Sequence, residues 1–180
     1  MQTRVIAGKF KGRLIPSVEK ATYRPTMNKV RQALFSMLAS QDLIADTKVL
    51  DLYAGLGSFS IEMVSRGAMS VTAVDSDRQA LVAMETFCKG LGICNLRTVL
   101  ADATKLDLQD EYDLVFMDPP YDTDLAACTL SRLLEMWPTF HGLVIVEASS
   151  RQRLTHSGYT ELDRRKYGVA EIIFLTPCSR

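Results

Sequence analysis

A chain of 180 residues that is 47% hydrophobic and 23% charged has the composition of one globular domain with a sizeable core, which excludes disordered and collagen-like classes. Acidic and basic residues balance at 21 each, and no apolar run approaches the roughly 18–20 residues that cross a bilayer. The N-terminal stretch MQTRVIAGKFKGRLIP lacks the continuous apolar centre of a secretory signal, so the expectation is a cytoplasmic protein, off the membrane and monomeric. The four cysteines, Cys88, Cys94, Cys128 and Cys178, contain no Cys-x-x-Cys pair and are expected as buried reduced thiols, not a disulfide framework or a zinc site. His141 and His156 have no partner motif, and no metal is expected.

The neutral total hides an uneven distribution. Arg4, Lys9, Lys11, Arg13, Lys20, Arg24, Lys29 and Arg31 face a single acid, Glu19, within the first 31 residues. A basic arm on an acidic body points to a polyanion as partner; a merely solvated basic face is the alternative. The arm, residues 1–25, is expected as a hairpin-like extension, and 26–180 as the main domain. After Pro25, TMNKVRQALFSMLAS carries Val30, Leu34, Phe35 and Leu38 at helical spacing, with Thr26 as N-cap.

From there strands and helices alternate. KVLDLYA (48–54) is a buried strand, SFSIEMVSRG (58–67) a helix stopped by Gly67, SVTAVD (70–75) a strand and SDRQALVAMETFCKGLG (76–92) a helix. LRTVLAD (96–102) and YDLVFMD (112–118) are further strands, DLAACTLSRLLEMW (124–137) a helix ended by Pro138, and GLVIVEAS (142–149) the fifth apolar strand. The tail, 158–177, reads as two strands joined around 166–168. Such alternation with short links predicts an α/β fold: a Rossmann-like, mostly parallel seven-stranded sheet with helices on both faces, plus the small basic extension.

Three strands end in acids on one rim, Asp51, Asp75 and Asp102, and the first is followed by Gly55 and Gly57. Ligands of open α/β sheets bind outside the carboxyl ends of the strands, where this loop lies. A dinucleotide needs G-x-G-x-x-G, but the sequence is GLGSFS, with Ser60 at the third glycine. A carboxylate just ahead of the loop repels a pyrophosphate and suits a cation or an ammonium group. S-adenosylmethionine fits: Asp51 toward its amino acid end, Asp75 toward the ribose and Asp102 toward the adenine amine. The competing explanation is that Asp51 and Asp75 merely cap helices.

The fourth strand runs into Asp118-Pro119-Pro120-Tyr121. Two prolines stiffen the backbone and end any ladder. The Asp118 carboxylate and the Pro119 carbonyl are two acceptors for the two hydrogens of an exocyclic base amine. Tyr121 supplies a ring on which a base stacks. Preorganised acceptors where positive charge develops on nitrogen would favour its attack on a methyl sulfonium. A rigid turn that simply ends a strand is the alternative.

Asp51-x-x-Ala54-Gly55-x-Gly57 with Asp75, Asp102 and DPPY resembles the class I S-adenosylmethionine-dependent amino-methyltransferases. With RVIAGKFKGRLI (4–15) and RPTMNKVRQALFSML (24–38), nearly the whole chain resembles the bacterial RsmD-type 16S rRNA guanine-N2 methyltransferases. That resemblance implies that Asp51, Tyr53, Ala54, Gly55, Gly57, Asp75, Asp102 and Ala103 form the cofactor surface. Asp118, Pro119, Pro120 and Tyr121 would then form the catalytic corner. It also implies that Arg24, Pro25 and Thr26 close over the site, and that Arg4, Lys9, Lys11 and Arg13 grip 16S rRNA in the 30S subunit. Leu56 and Asp75 depart from the family's usual small polar residue and glutamate. Other readings are a DNA or RNA adenine-N6 methyltransferase, which shares DPPY, and a non-catalytic RNA-binding α/β module. A dehydrogenase is disfavoured by the missing glycine.

Overall fold

The computed structural model describes residues 3–15, 25–151 and 153–178, with side chains from Lys29 onward in the second stretch. Helix α1 (Pro25–Ser40) leads into β1 (Lys48–Leu52), α2 (Ser58–Ser65), β2 (Ser70–Asp75), α3 (Arg78–Gly90) and β3 (Leu96–Leu100). A 3-10 turn at Ala103–Lys105 precedes β4 (Leu114–Met117), α4 (Leu125–Met136), β5 (Leu143–Ser149), β6 (Tyr159–Tyr167) and β7 (Ala170–Pro177). The seven strands form one sheet in the order β3-β2-β1-β4-β5-β7-β6. The first five strands are parallel to one another, and β7 runs antiparallel between β5 and β6.

This order makes a switch point. The chain leaves β1 toward β2 on one side and returns to β4 on the other, opening a crevice at their carboxyl ends. Burial on both faces explains why the central strands read as continuous apolar runs. Val49, Phe116, Ile145 and Phe174 meet Leu34 and Phe35 of α1 and Phe59 and Met63 of α2 on one face. Leu50, Leu52, Val115 and Met117 meet Leu130 and Leu133 of α4 on the other. Phe59 stacks on Phe116 at 4.0 Å between ring centroids, which ties α2 to the strand carrying the Asp-Pro-Pro-Tyr turn.

The arm is folded onto this domain. Thr3–Ile15 makes a short antiparallel hairpin: Arg4 bridges Leu14, Val5 N–H donates to Arg13 O at 3.0 Å, and Ile15 N–H donates to Thr3 O at 2.9 Å. Val5 and Ile15 are buried with Ile61, Leu81 and Met84. Glu62, fully buried on α2, accepts the N–H groups of Ile6 and Ala7 at 2.6 and 3.0 Å, and Arg66 Nε closes an ion pair with it at 2.6 Å. Gly8 has φ +81, and a Cβ there would lie 1.9 Å from the Ser65 carbonyl oxygen. Only glycine allows so close an approach.

Several sequence expectations need correction. The first strand ends at Leu52 and not Ala54, because Tyr53 turns the chain with φ +62. The third ends at Leu100, two residues early, where the chain turns toward the 3-10 turn capped by Asp102. Helix α1 starts at Pro25, so Thr26 lies in the first turn and is not the cap, in keeping with proline's tolerance there. All four cysteines are free, but only Cys88 is buried; Cys94, Cys128 and Cys178 are exposed. Among the described residues no helix is long and apolar enough to cross a membrane.

Candidate active site

The glycine loop between β1 and α2 depends on left-handed backbone: Gly55 has φ +53 and Gly57 φ +80. A Cβ on Gly57 would press within 2.7 Å of the Met84 sulfur, whereas one on Gly55 would meet nothing within 4 Å. Asp51 is 1% exposed. Its Oδ2 accepts the Ser60 N–H at 3.1 Å and the Ser60 hydroxyl at 2.5 Å, so it holds the first turn of α2. Helix capping, the competing explanation, is therefore part of what Asp51 does. Burial nonetheless pushes its carboxyl up to about 7, against the lowering effect of the Ser60 hydrogen bonds. Asp75 bridges the loop: Oδ2 accepts the Gly55 N–H at 2.7 Å and Oδ1 the Asp77 N–H at 2.8 Å. It is Asp77, not Asp75, that caps α3.

Asp102 lies on the same rim and is exposed. Its Oδ1 accepts the hydroxyl and N–H of Thr104 at 2.7 and 2.9 Å, and those bonds hold its carboxyl below the usual range. Ala103 is buried behind it. Ala54 N–H donates to Val74 O at 3.0 Å, stitching the loop to β2. Tyr53 reaches the other way, its hydroxyl 2.6 Å from Thr129 Oγ1 on α4.

Across the switch point stands the Asp118-Pro119-Pro120-Tyr121 turn. Met117 pairs with Leu52 on one side and Val146 on the other, so Asp118 emerges beside Tyr53 and Glu147. Asp118 shares a sheet face with Phe116, one pleat below it. Pro119 is buried and Pro120 exposed; the Pro120 carbonyl accepts the Thr123 hydroxyl at 2.8 Å, and Asp122 takes φ +61 to finish the turn. The Tyr121 hydroxyl donates to Glu147 Oε1 at 3.0 Å. Glu147, Tyr121, Pro119 and Pro120 line one pocket with Ala126 and Arg153.

Carboxyl groups gather here, with Asp118 close enough to Glu147 and Asp51 to feel both charges. Burial, then the neighbouring carboxylates Glu147 and Asp51, push Asp118 well above the carboxylate range. Burial likewise raises Glu147, partly countered by the Tyr121 hydroxyl. Such displaced carboxyls in a crevice mark a functional site. The sequence reading missed Glu147, although its signal was present: LVIVE is an apolar run ending in an acid, like those before Asp51, Asp75 and Asp118.

The basic residues Arg4, Lys9, Lys11 and Arg13 are all exposed on the hairpin. Arg4 Nη1 donates to Gly12 O at 2.9 Å, and Lys9 Nζ lies 5.3 Å from the centroid of the Phe10 ring. Arg24 lies outside the described residues, as do the side chains of Pro25 and Thr26, whose backbone opens α1.

A mostly parallel sheet in this order, with acids at successive strand ends and the Asp-Pro-Pro-Tyr turn at the switch point, defines a class I methyltransferase fold. A solved structure described as a putative methyltransferase yhhF from Escherichia coli superposes with a TM-score of 0.85 over 100% of both chains at 25% identity. The chain belongs to the family described as conserved hypothetical protein 95, which it matches over residues 3–176. Among curated relatives, the ribosomal RNA small subunit methyltransferase D of Escherichia coli is 32% identical over 82% of this chain and 75% of its own. The protein of that name from Haemophilus influenzae is 30% identical over 93% of this chain and 90% of its own.

Proposed function

We propose that the protein transfers a methyl group from S-adenosyl-L-methionine to the exocyclic N2 amine of a guanine in 16S rRNA, acting on the 30S subunit. The observation that carries this reading is the register of β1 and β4, which pairs Leu52 with Met117 and so sets Asp118 and Pro119 next to the start of the glycine loop. In this reading Asp118 and the Pro119 carbonyl would hold the amine beside the loop on which a methyl donor would lie.

The cofactor side fits a sulfonium amino acid better than a dinucleotide. Ser60 fills the position of a third glycine, is fully buried, and spends its hydroxyl on Asp51. Asp51, Asp75 and Asp102 supply acceptors and negative charge, suited to ammonium, ribose hydroxyls and an adenine amine. When bound, S-adenosylmethionine supplies a methyl carbon that joins the amine's lone pair as its bonding electrons stay on sulfur. Asp118 and the Pro119 carbonyl hold the two amine hydrogens, which draws the nitrogen lone pair out of conjugation with the ring. Positive charge then develops on nitrogen against the Asp118 carboxylate, the arrangement in which fixed electrostatics are most effective. Asp118 takes the proton the nitrogen sheds; its raised affinity for protons suits it to that role near neutral pH.

The exposed hairpin residues Arg4, Lys9, Lys11 and Arg13 supply the sequence-independent grip on phosphates. Incubating the protein with methyl-labelled S-adenosylmethionine and unmodified 30S particles, then digesting the RNA to nucleosides, tests the assignment. Label in N2-methylguanosine is the expected result. Label in N6-methyladenosine would transfer the reading to adenine, and unlabelled RNA with folded protein would refute it.

A further inference from the structure

Asp118 and the Pro119 carbonyl hold an NH₂ group, and they are indifferent to the base that carries it: guanine N2 and adenine N6 each offer two hydrogens. The ring atom N1 beside the amine offers a way to discriminate. In guanine that atom is N1–H, a donor. In adenine it is N1 without hydrogen, an acceptor. A second acceptor beside Asp118 would therefore select guanine.

The sheet supplies one. The β4–β5 register ends with Met117 beside Val146, so Asp118, the residue after β4, comes next to Glu147 of β5, with neighbouring strands about 5 Å apart. Both point to the face shared by Phe116 and Ile145, since side chains alternate along a strand. Glu147 lines the same pocket as Pro119, Pro120 and Tyr121. The Tyr121 hydroxyl holds Glu147 Oε1 at 3.0 Å, which fixes the carboxyl at the rim of the ring proposed to stack on the base.

We infer that Glu147 is the specificity-determining residue, its carboxylate accepting the guanine N1–H while Asp118 and the Pro119 carbonyl hold N2. This rests on the guanine-N2 reading above. Two carboxylates in a desolvated corner repel each other when the pocket holds no base. A guanine edge brings three N–H donors and relieves that repulsion. An adenine edge would set the N1 lone pair against a carboxylate, and buried polar groups left unpaired make such discrimination steep.

The test uses 2-aminopurine, which keeps the 2-amine but lacks both the N1 hydrogen and O6, so the Glu147 variant locates the effect. The rRNA substrate is prepared with guanosine or 2-aminopurine riboside at the methylated position, and kcat/KM is measured for both with wild type and with Glu147→Gln. Wild type is expected to favour guanosine about 100-fold, the upper part of the range for one well-placed base contact. Glu147→Gln, whose amide can donate to a bare N1, is expected to narrow that preference by about 10-fold or more. Wild type that methylates both substrates comparably overturns the inference while leaving the guanine-N2 reading intact, as does a preference unchanged in Glu147→Gln. Wild type that leaves the guanosine control unmethylated overturns both. If Glu147→Gln fails to fold, comparable methylation of both substrates by wild type still overturns the inference.

Discussion

The two halves of the rim use the same residue type in opposite ways. At the ends of β1, β2 and β3, the carboxylates of Asp51, Asp75 and Asp102 accept backbone N–H groups of Ser60, Gly55 and Thr104; they shape the loops on which a cofactor would rest. Just past β4 and within β5, burial and mutual charge raise the proton affinity of Asp118, burial raises that of Glu147, and the Tyr121 hydroxyl donates to Glu147. The first half spends its acceptors on the protein. The second keeps carboxyl groups with raised proton affinity at the turn, oxygens that are placed to meet the N–H groups of a base. Asp51 straddles the two, since it caps α2 and also raises the proton affinity of Asp118.

The largest effect that separates the halves is expected for Asp118→Ala. Removing the acceptor against which charge develops should lower the rate of transfer at saturating substrates by about 10³-fold, as measured in single turnovers. A smaller loss would shift the weight of catalysis to the Pro119 carbonyl.

A second effect sits at the boundary and depends on pH. The Asp51 carboxyl is raised to about 7 in the folded protein, above its value of about 3.9 in an unfolded chain. Its contribution to stability is therefore complete below the unfolded value and is lost as pH climbs through 7. The loss is on the order of 4 kcal/mol across that window. Asp51→Asn keeps an oxygen for Ser60 but cannot ionise. Urea midpoints should show it gaining on wild type between pH 5 and pH 8; a constant difference would mean that Asp51 is already ionised at low pH.

Asp75→Ala tests the other half. It strips acceptors from the Gly55 and Asp77 N–H groups. Weakening of S-adenosylmethionine binding by about 10- to 100-fold is expected by calorimetry, in line with hydrogen bonds to a charged group. Gly8→Ala lies outside both halves and should have the smallest effect on donor binding. Contact with the Ser65 carbonyl and φ +81 should cost about 1–3 kcal/mol, detected as a lower melting temperature, and weaken retention on rRNA without changing donor affinity.

Much of this comparison was legible in the chain. Apolar runs that end in acids gave the parallel strands and their carboxyl rim, and the paired prolines marked the turn at β4. What escaped is instructive. Glu147 carries the same run-then-acid signal, but without a neighbouring glycine or proline motif it reads as one more core strand; only the β4–β5 register brings it beside Asp118. Glu62 looks like an ordinary polar residue of an amphipathic helix, because its hydrogen-bond partners Ile6 and Ala7 lie more than 50 residues away. The buried hydrogen bonds of Asp51 likewise depend on where α2 starts relative to β1, a packing outcome that local pattern does not encode.

The division of labour is tested most directly by titrating S-adenosylmethionine into Asp118→Ala and Asp75→Ala side by side. Asp118→Ala should bind the donor within a few-fold of wild type, about 1 kcal/mol or less, whereas Asp75→Ala binds it weakly. Equal loss of binding in both variants would mean that Asp118 belongs to the donor's own site, and the two-halved rim would be wrong.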